Sequence, residues 1–172
     1  MGSLGKTLEN LTNVAILIVC LLIFSLFLSH KWGSHGASSN IAETHFVGKV
    51  INPVPGYQWA SHPKTLVLAL RKNCQYCEAS MPFYKRLSSL EREGRLCVHL
   101  LAIMPDSRAA GNEALQASGV EIQGVFEEPL ASIQVLGTPT LLLLNASGRV
   151  EKAWVGQLSA DEETRVVAAV SR

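Results

Sequence analysis

Cys74-Gln75-Tyr76-Cys77 concentrates the reactive side chains of this chain. Two thiols with two residues between them can meet on one side of a helical turn. A disulfide there can form and break with little backbone movement. The chain has four cysteines, Cys20, Cys74, Cys77 and Cys97. Four unevenly spaced cysteines are too few to staple 172 residues, so the close pair points to thiol chemistry.

The elements around the pair say how it would work. Thr65–Leu70 (TLVLAL) is a short apolar run, as expected of a strand buried on both faces. From Gln75 to Glu91 the pattern is helical, with Met81, Tyr84, Leu87 and Leu90 at three- and four-residue spacings. A strand therefore delivers Cys74 to a helix mouth, where unpaired N–H groups and the positive end of the dipole favour a thiolate. Such settings lower a thiol pKa from about 8.5 toward 7 or below. Arg71 and Lys72 add positive charge. Cys74 reads as the exposed nucleophile and Cys77, one turn inward, as the shielded resolving thiol.

Two other uses of the pair compete with this one. A structural disulfide more often links distant segments. A zinc site would need Cys97 and His99 to complete four ligands. Parallel strands joined by a right-handed helical crossover end on the same side of a sheet. The pair follows the end of one strand, whereas Cys97 opens the next, Leu96–Ile103 (LCVHLLAI). At about 3.3 Å per residue the separation is some 20 Å. Cys97 then reads as a small core residue. His30, His35 and His45 lie in a polar linker without regular ligand spacing, and no metal site is expected.

Further on, Asp106–Ala117 reads as a helix stopped by Gly119, and Pro129–Val135 as another short helix. Thr140–Leu144 and Arg149–Val155 read as strands joined by the hairpin turn Asn145-Ala-Ser-Gly148. Ser159 caps a last helix, with Glu162 as its capping-box partner. The order strand–helix–strand, hairpin, helix makes an α/β sandwich.

The N-terminal part differs. Leu11–Leu28 (LTNVAILIVCLLIFSLFL) carries no charge. As a helix it would span roughly 27 Å, close to the roughly 30 Å of a bilayer core. A cleaved signal peptide has an apolar stretch of about 7–15 residues and a small-x-small site. This run is longer, and SHKWGSHGASS after it offers only a weak site. The expected organisation is a tail over 1–10, an anchor over 11–29, a flexible linker over 30–45 and a globular domain over 46–172. Lys6 and Lys31 flank the run, so charge does not set its orientation. Cys20 would face lipid or its own helix. A formal charge of +1 and 6% aromatic residues argue against nucleic acid as a partner.

Together these features resemble the thioredoxin superfamily, in particular the membrane-anchored TlpA/ResA-like thiol–disulfide oxidoreductases. The resemblance covers Gly48 to Val170. It rests on the Cys74–Cys77 pair between strand and helix, and on Pro82 five residues after it. Gly137-Thr138-Pro139-Thr140 precedes an apolar strand, where the family places a cis-proline. The hairpin Asn145-Ala-Ser-Gly148-Arg-Val and then Trp154-Val-Gly156 follow. The resemblance implies a thioredoxin-like fold, a central mixed sheet flanked by helices, with an N-terminal transmembrane helix. It implies that Cys74 attacks, Cys77 resolves, Pro139 faces the pair and Thr138 offers backbone atoms to an extended substrate. Tyr76, between the cysteines, joins Thr138 and Pro139 as a substrate-binding candidate. The implied partners are cysteine-containing protein substrates, a thiol electron donor or acceptor, and the membrane through residues 11–29. No cofactor is implied.

The implied activity is an extracytoplasmic reductase of the kind used in cytochrome maturation. The alternatives are an oxidase or isomerase of secreted proteins, or a tethered peptide-binding module without catalysis. Three departures stand out: Asn73 where the family often has Trp, Gln75-Tyr76 where it often has Gly-Pro, and no acidic residue within Leu66–Leu70.

Overall fold

Alternation along one strand organises the folded part. Leu66, Leu68 and Leu70 are buried in one hydrophobic cluster, and Val67 and Ala69 in another. Successive strand residues point to opposite faces, so this segment must be covered on both sides. The computed structural model describes residues 16–25 and 44–171. The chain divides into two units, Met1–Ser38 and Ser39–Arg172.

In the first unit, residues 16–25 form a helix with exposed side chains, Cys20 among them. Among the described residues no helix is long and apolar enough to cross a membrane. The expected tail over 1–10, residues 11–15 and 26–29 of the expected anchor, and the linker as far as residue 43 lie outside the described residues.

The second unit is built on a five-stranded mixed sheet of order β3-β2-β1-β4-β5. The strands are β1 (Lys64–Ala69), β2 (His99–Met104), β3 (Gly124–Glu127), β4 (Thr140–Asn145) and β5 (Val150–Val155). β1 runs parallel to β2 and antiparallel to β4, while β3 extends the parallel side and β5 the antiparallel side. The helices whose two ends both lie among the described residues are α1 (Gln75–Ala79), α2 (Met81–Arg92), α3 (Arg108–Ala117) and α4 (Ala160–Val170). Leu66, Leu68 and Leu70 face Phe83, Tyr84 and Leu87 of α2, Leu115 of α3, and Val166 and Val170 of α4. The other face is closed by Phe46, Ile51, Val54 and Trp59, and by Leu130, Ile133 and Val135. A helical layer thus covers one face, and irregular segments with two 3-10 turns, Trp59–Ser61 and Leu130–Ile133, cover the other.

Several expectations are corrected here. The helix expected over Gln75–Glu91 is two helices, broken at Ser80. Pro82 lacks an N–H and its ring disfavours a helix interior, but it fits the first turn of α2. Ser80 Oγ donates 2.8 Å to the Tyr76 carbonyl and helps close the first helix. Pro129–Val135 contains only the 3-10 turn. Cys97, expected in the core, is exposed. Its neighbours Leu96 and Val98 are buried, and its N–H donates 2.8 Å to the Val170 carbonyl, so extended alternation turns the thiol outward. The capping box of α4 is present as expected, with Ser159 and Glu162 bonding reciprocally.

Near the start of β1 and β2, three rings stack. The His62 and His99 centroids are 4.2 Å apart with a 17° interplanar angle, and Tyr57 stacks 6.1 Å from His99 and 6.4 Å from His62. Glu91 Oε1 lies 3.0 Å from His99 Nδ1 and accepts the Leu100 N–H at 2.8 Å. Burial lowers the pKa of His62, positive charge on His99 lowers it further, and Glu91 opposes both. The unfolded chain therefore binds this proton more readily than the folded one. The stabilisation is fully present above the ordinary histidine value of about 6.5 and is lost as pH falls through the lower folded value. Urea midpoints measured from pH 7.5 to 5 should fall less steeply in His62→Gln than in the native chain. Equal slopes would assign the acid sensitivity to other groups.

Candidate active site

The approach to the cysteines begins where β1 leaves the sheet. Leu70 N–H still donates 3.0 Å to the Ile103 carbonyl, after which Arg71–Asn73 turn the chain. Lys72 N–H donates 3.0 Å to Asp106 Oδ2, which ties this turn to the segment after β2. Asn73 has φ +54°, in the left-handed region. Asparagine is among the few side-chain-bearing residues that enter that region readily, and a bulky aromatic would be strained there. The backbone thus accounts for Asn at a position where tryptophan is common in the resembling family.

Cys74 is the N-cap of α1, and its Sγ accepts the Cys77 N–H at 3.2 Å. The two cysteines form a disulfide with a Cα–Cα distance of 5.2 Å. Their surroundings differ. Cys74 is half-buried at the surface, whereas Cys77 is fully buried in the cluster that holds Leu66, Leu68 and Tyr84. The mouth helix has only five residues, so the favourable field at Cys74 comes from fewer aligned peptides than one long helix would supply.

The loop before β4 closes over Cys74. Thr138 Oγ1 donates to Cys74 Sγ at 3.4 Å, and the Thr138 carbonyl oxygen lies 3.7 Å from the same sulfur. The Thr138–Pro139 bond is cis. Pro139 is buried, and its carbonyl accepts the Gly156 N–H at 2.8 Å. Thr140 Oγ1 donates 2.8 Å to the Gly137 carbonyl and braces the loop from below. The N–H groups of Leu136, Gly137 and Thr138 donate to no group among the described residues. Cys74, Cys77 and Thr138 are thus brought together, with Pro139 directly behind. Tyr76 stands out from α1 and is 58% exposed.

The Thr138 hydroxyl is a contact that the sequence reading missed. Its motif drew attention to the backbone, and nothing local says that a side chain 64 positions from Cys74 reaches its sulfur. In the reduced protein this donor stabilises a thiolate. Thr138→Val keeps the branched shape and removes the donor. A hydrogen bond contributing about 0.7 kcal/mol corresponds to about a threefold loss of thiolate at neutral pH. Alkylation of reduced Cys74 at pH 7 should slow by about that factor, and an unchanged rate would remove the hydroxyl from the site.

Among the described residues no buried acid sits under the pair. Among the described residues Glu162 is the buried carboxylate, and it is bound in the capping box of α4. Tyr84, packed with Cys77, has its phenol pKa pushed well up by burial, against the effect of a Ser80 hydrogen bond, so it stays protonated. Among the described residues no group of three or more His, Cys, Asp or Glu side chains is placed to hold a metal. His99 pairs with Thr65 at the start of the parallel strands, whereas the disulfide follows their far end.

No family model matches the chain, and no curated protein matches it by sequence. Solved structures do match by shape. One is a thiol:disulfide interchange protein from Bacteroides sp., with 15% identity, TM-score 0.56, and 72% of this chain and 88% of that one covered. A thioredoxin-family thiol:disulfide interchange protein from Chlorobium tepidum TLS has 15% identity and TM-score 0.54, covering 71% and 95%. The thioredoxin domain of a thiol-disulfide oxidoreductase from Bacteroides vulgatus has 15% identity and TM-score 0.53, covering 72% and 96%. At this identity the likeness establishes the fold: the globular unit has the thioredoxin fold, with a Cys-x-x-Cys disulfide between its first sheet strand and the helix that follows.

Proposed function

We propose that the chain is a thiol–disulfide oxidoreductase, held at a membrane through residues 11–29, that reduces disulfides of extracytoplasmic proteins. The observation that carries this reading is the asymmetry of the disulfide. One sulfur is half-exposed under Thr138 and the other is sealed in the core. In the reducing direction the Cys74 thiolate attacks a substrate disulfide. The substrate S–S bond breaks, one substrate sulfur leaves as a thiolate and is protonated by solvent, and a mixed disulfide forms. Cys77 loses its proton and attacks Cys74 Sγ, which releases the second substrate thiol and closes Cys74–Cys77. Two electrons pass from the pair to the substrate, and a dithiol donor must restore the pair. Tyr76 and Thr138 form the surface on which the substrate lies, and the buried Pro139 sets the course of the loop behind them. The names of the similar structures, interchange proteins and an oxidoreductase, agree with this chemistry.

Direction is a matter of potential. Equilibration with thiol redox buffers should give a two-electron midpoint near the thioredoxin value of about −270 mV, whereas one near −120 mV would make the chain an oxidant. The anchor follows from the uncharged run Leu11–Leu28. A membrane-impermeant thiol reagent should label reduced Cys74 in intact cells or spheroplasts, and labelling only after lysis would overturn the extracytoplasmic placement.

A further inference from the structure

Hydrophobic side chains left in water around a reactive sulfur say something about what docks there. Among the described residues of the globular unit four large apolar side chains are exposed: Val47, Val50, Tyr76 and Leu136. The two most exposed, Tyr76 at 58% and Leu136 at 89%, both belong to the segments that carry the site, α1 and the loop before β4. Tyr76 is two residues from Cys74 along α1. Leu136 is two residues from Thr138, whose hydroxyl and carbonyl both touch the Cys74 sulfur. Between them runs a stretch of backbone, Leu136 to Thr138, whose three N–H groups are unpaired among the described residues. An apolar side chain beside open backbone donors suits an extended peptide, which supplies carbonyls to the donors and a side chain to the apolar surface.

We infer that this site selects extended segments in which a large apolar residue lies two positions from the target cysteine. The inference rests on the thiol–disulfide reading above and narrows it to a substrate class. The spacing follows from strand geometry. In an extended chain, residues i and i±2 share a face and lie about 7 Å apart, while i±1 point away. A substrate strand laid against this loop with its sulfur at Cys74, which Thr138 touches, brings its next same-face side chain within reach of Leu136 two residues away. Burying that side chain against Leu136 favours docking, since Leu136 has almost its whole surface to give. Sequences with polar residues at i±2 leave Leu136 in water and gain nothing.

The test uses the reduced full-length chain in detergent and three synthetic peptides, each with one cysteine carried as a mixed disulfide with glutathione. One has Leu at both i±2, one has Leu at both i±1, and one has Ser at all four positions. Reduction releases the peptide thiol and glutathione, and two electrons leave the Cys74–Cys77 pair. The i±2 peptide should react about tenfold faster than the Ser peptide, and the i±1 peptide within about twofold of it. In Leu136→Ser the i±2 advantage should shrink to about twofold. The ratio between peptides is the readout, so a change in intrinsic thiol reactivity cancels. Equal rates for all three peptides, an i±1 peptide as good as the i±2 peptide, or an advantage that survives in a Tyr76→Ser/Leu136→Ser double variant would each overturn the inference. Glutathione disulfide alone separates the levels. A native chain that reduces it without discriminating among peptides loses only the selectivity, whereas one that cannot reduce it loses the underlying chemistry as well.

Discussion

In a Cys77→Ser chain, Cys74 should accumulate as a mixed disulfide with whatever substrate it meets, and turnover should fall on the order of 10³-fold, as when an enzymic nucleophile or its partner is removed. Cys74→Ser should lose turnover to the same extent without trapping anything. The contrast follows from burial. Cys74 is half-buried beneath Thr138, within reach of an incoming disulfide, while Cys77 has no exposed surface and meets only what Cys74 delivers. Serine at position 77 also places a hydroxyl among Leu66, Leu68 and Tyr84, and an unsatisfied buried hydroxyl costs about 1–3 kcal/mol. Cys77→Ala avoids that cost, so both variants should trap and a folding defect in one leaves the experiment readable. Loss of the disulfide itself should matter little for stability, because the loop it closes spans a sequence separation of only 3 and constrains the unfolded chain weakly. Thiol-specific labelling of the reduced native chain checks the assignment independently. If Cys77 alkylates before Cys74, the roles are reversed.

What was legible in the sequence was what short-range pattern controls. The strand before the cysteines, the helical periodicity after them, the hairpin turn and the Ser159–Glu162 box each depend on neighbours within a few residues, and each is present. The strand Gly124–Glu127 was missed for a physical reason. It has four residues at a sheet edge and only Val125 is buried, too short for a period-two signal. The 3-10 turn holding Trp59 was missed because its place is set by a sheet face built from Val67 together with Leu142, Leu144 and Ala153, the last three remote in sequence. Cys97 was misplaced because it was read within a run of apolar residues, whereas β2 begins only at His99 and the alternation around Leu96 and Val98 turns the thiol out. At the site, the cysteine spacing and the Gly-Thr-Pro motif were both visible. The hydroxyl of Thr138 on the sulfur, the left-handed Asn73 and the bare Leu136 required the folded loop. Chemistry was carried by local pattern, and the features that tune and aim it by tertiary closure.

Gly148→Ala should destabilise the globular unit by about 3–5 kcal/mol, a large effect for one added methyl group. The sequence marks Gly148 as the last residue of a hairpin turn, and it does have φ +76°, where alanine costs roughly 1–2 kcal/mol. The turn also serves as a floor. A Cβ there would lie 2.5 Å from Cδ1 of Trp59 and 2.6 Å from the carbonyl oxygen of Ile51. Neither neighbour can yield alone, because Trp59 Nε1 donates 2.8 Å to that same carbonyl and Ile51 N–H donates 2.9 Å to the Gly148 carbonyl. Moving the indole gives up a buried hydrogen bond, about 0.5–1.5 kcal/mol, and overpacking the contact costs about 1–3 kcal/mol. The whole cost falls on the segment that closes the second face of the sheet through Ile51, Val54 and Trp59. With a urea slope of about 2 kcal/mol/M, the midpoint should drop by roughly 1.5–2.5 M. A shift of only about 0.5–1 M would correspond to the backbone cost alone and mean that the indole yields at almost no cost. The hairpin lies at the Asn145 end of β4, whereas Thr138 and the disulfide lie at the Thr140 end. The molecules that remain folded should therefore exchange thiols at the native rate, and a slowed rate would tie the Trp59 segment to the site six residues of strand away.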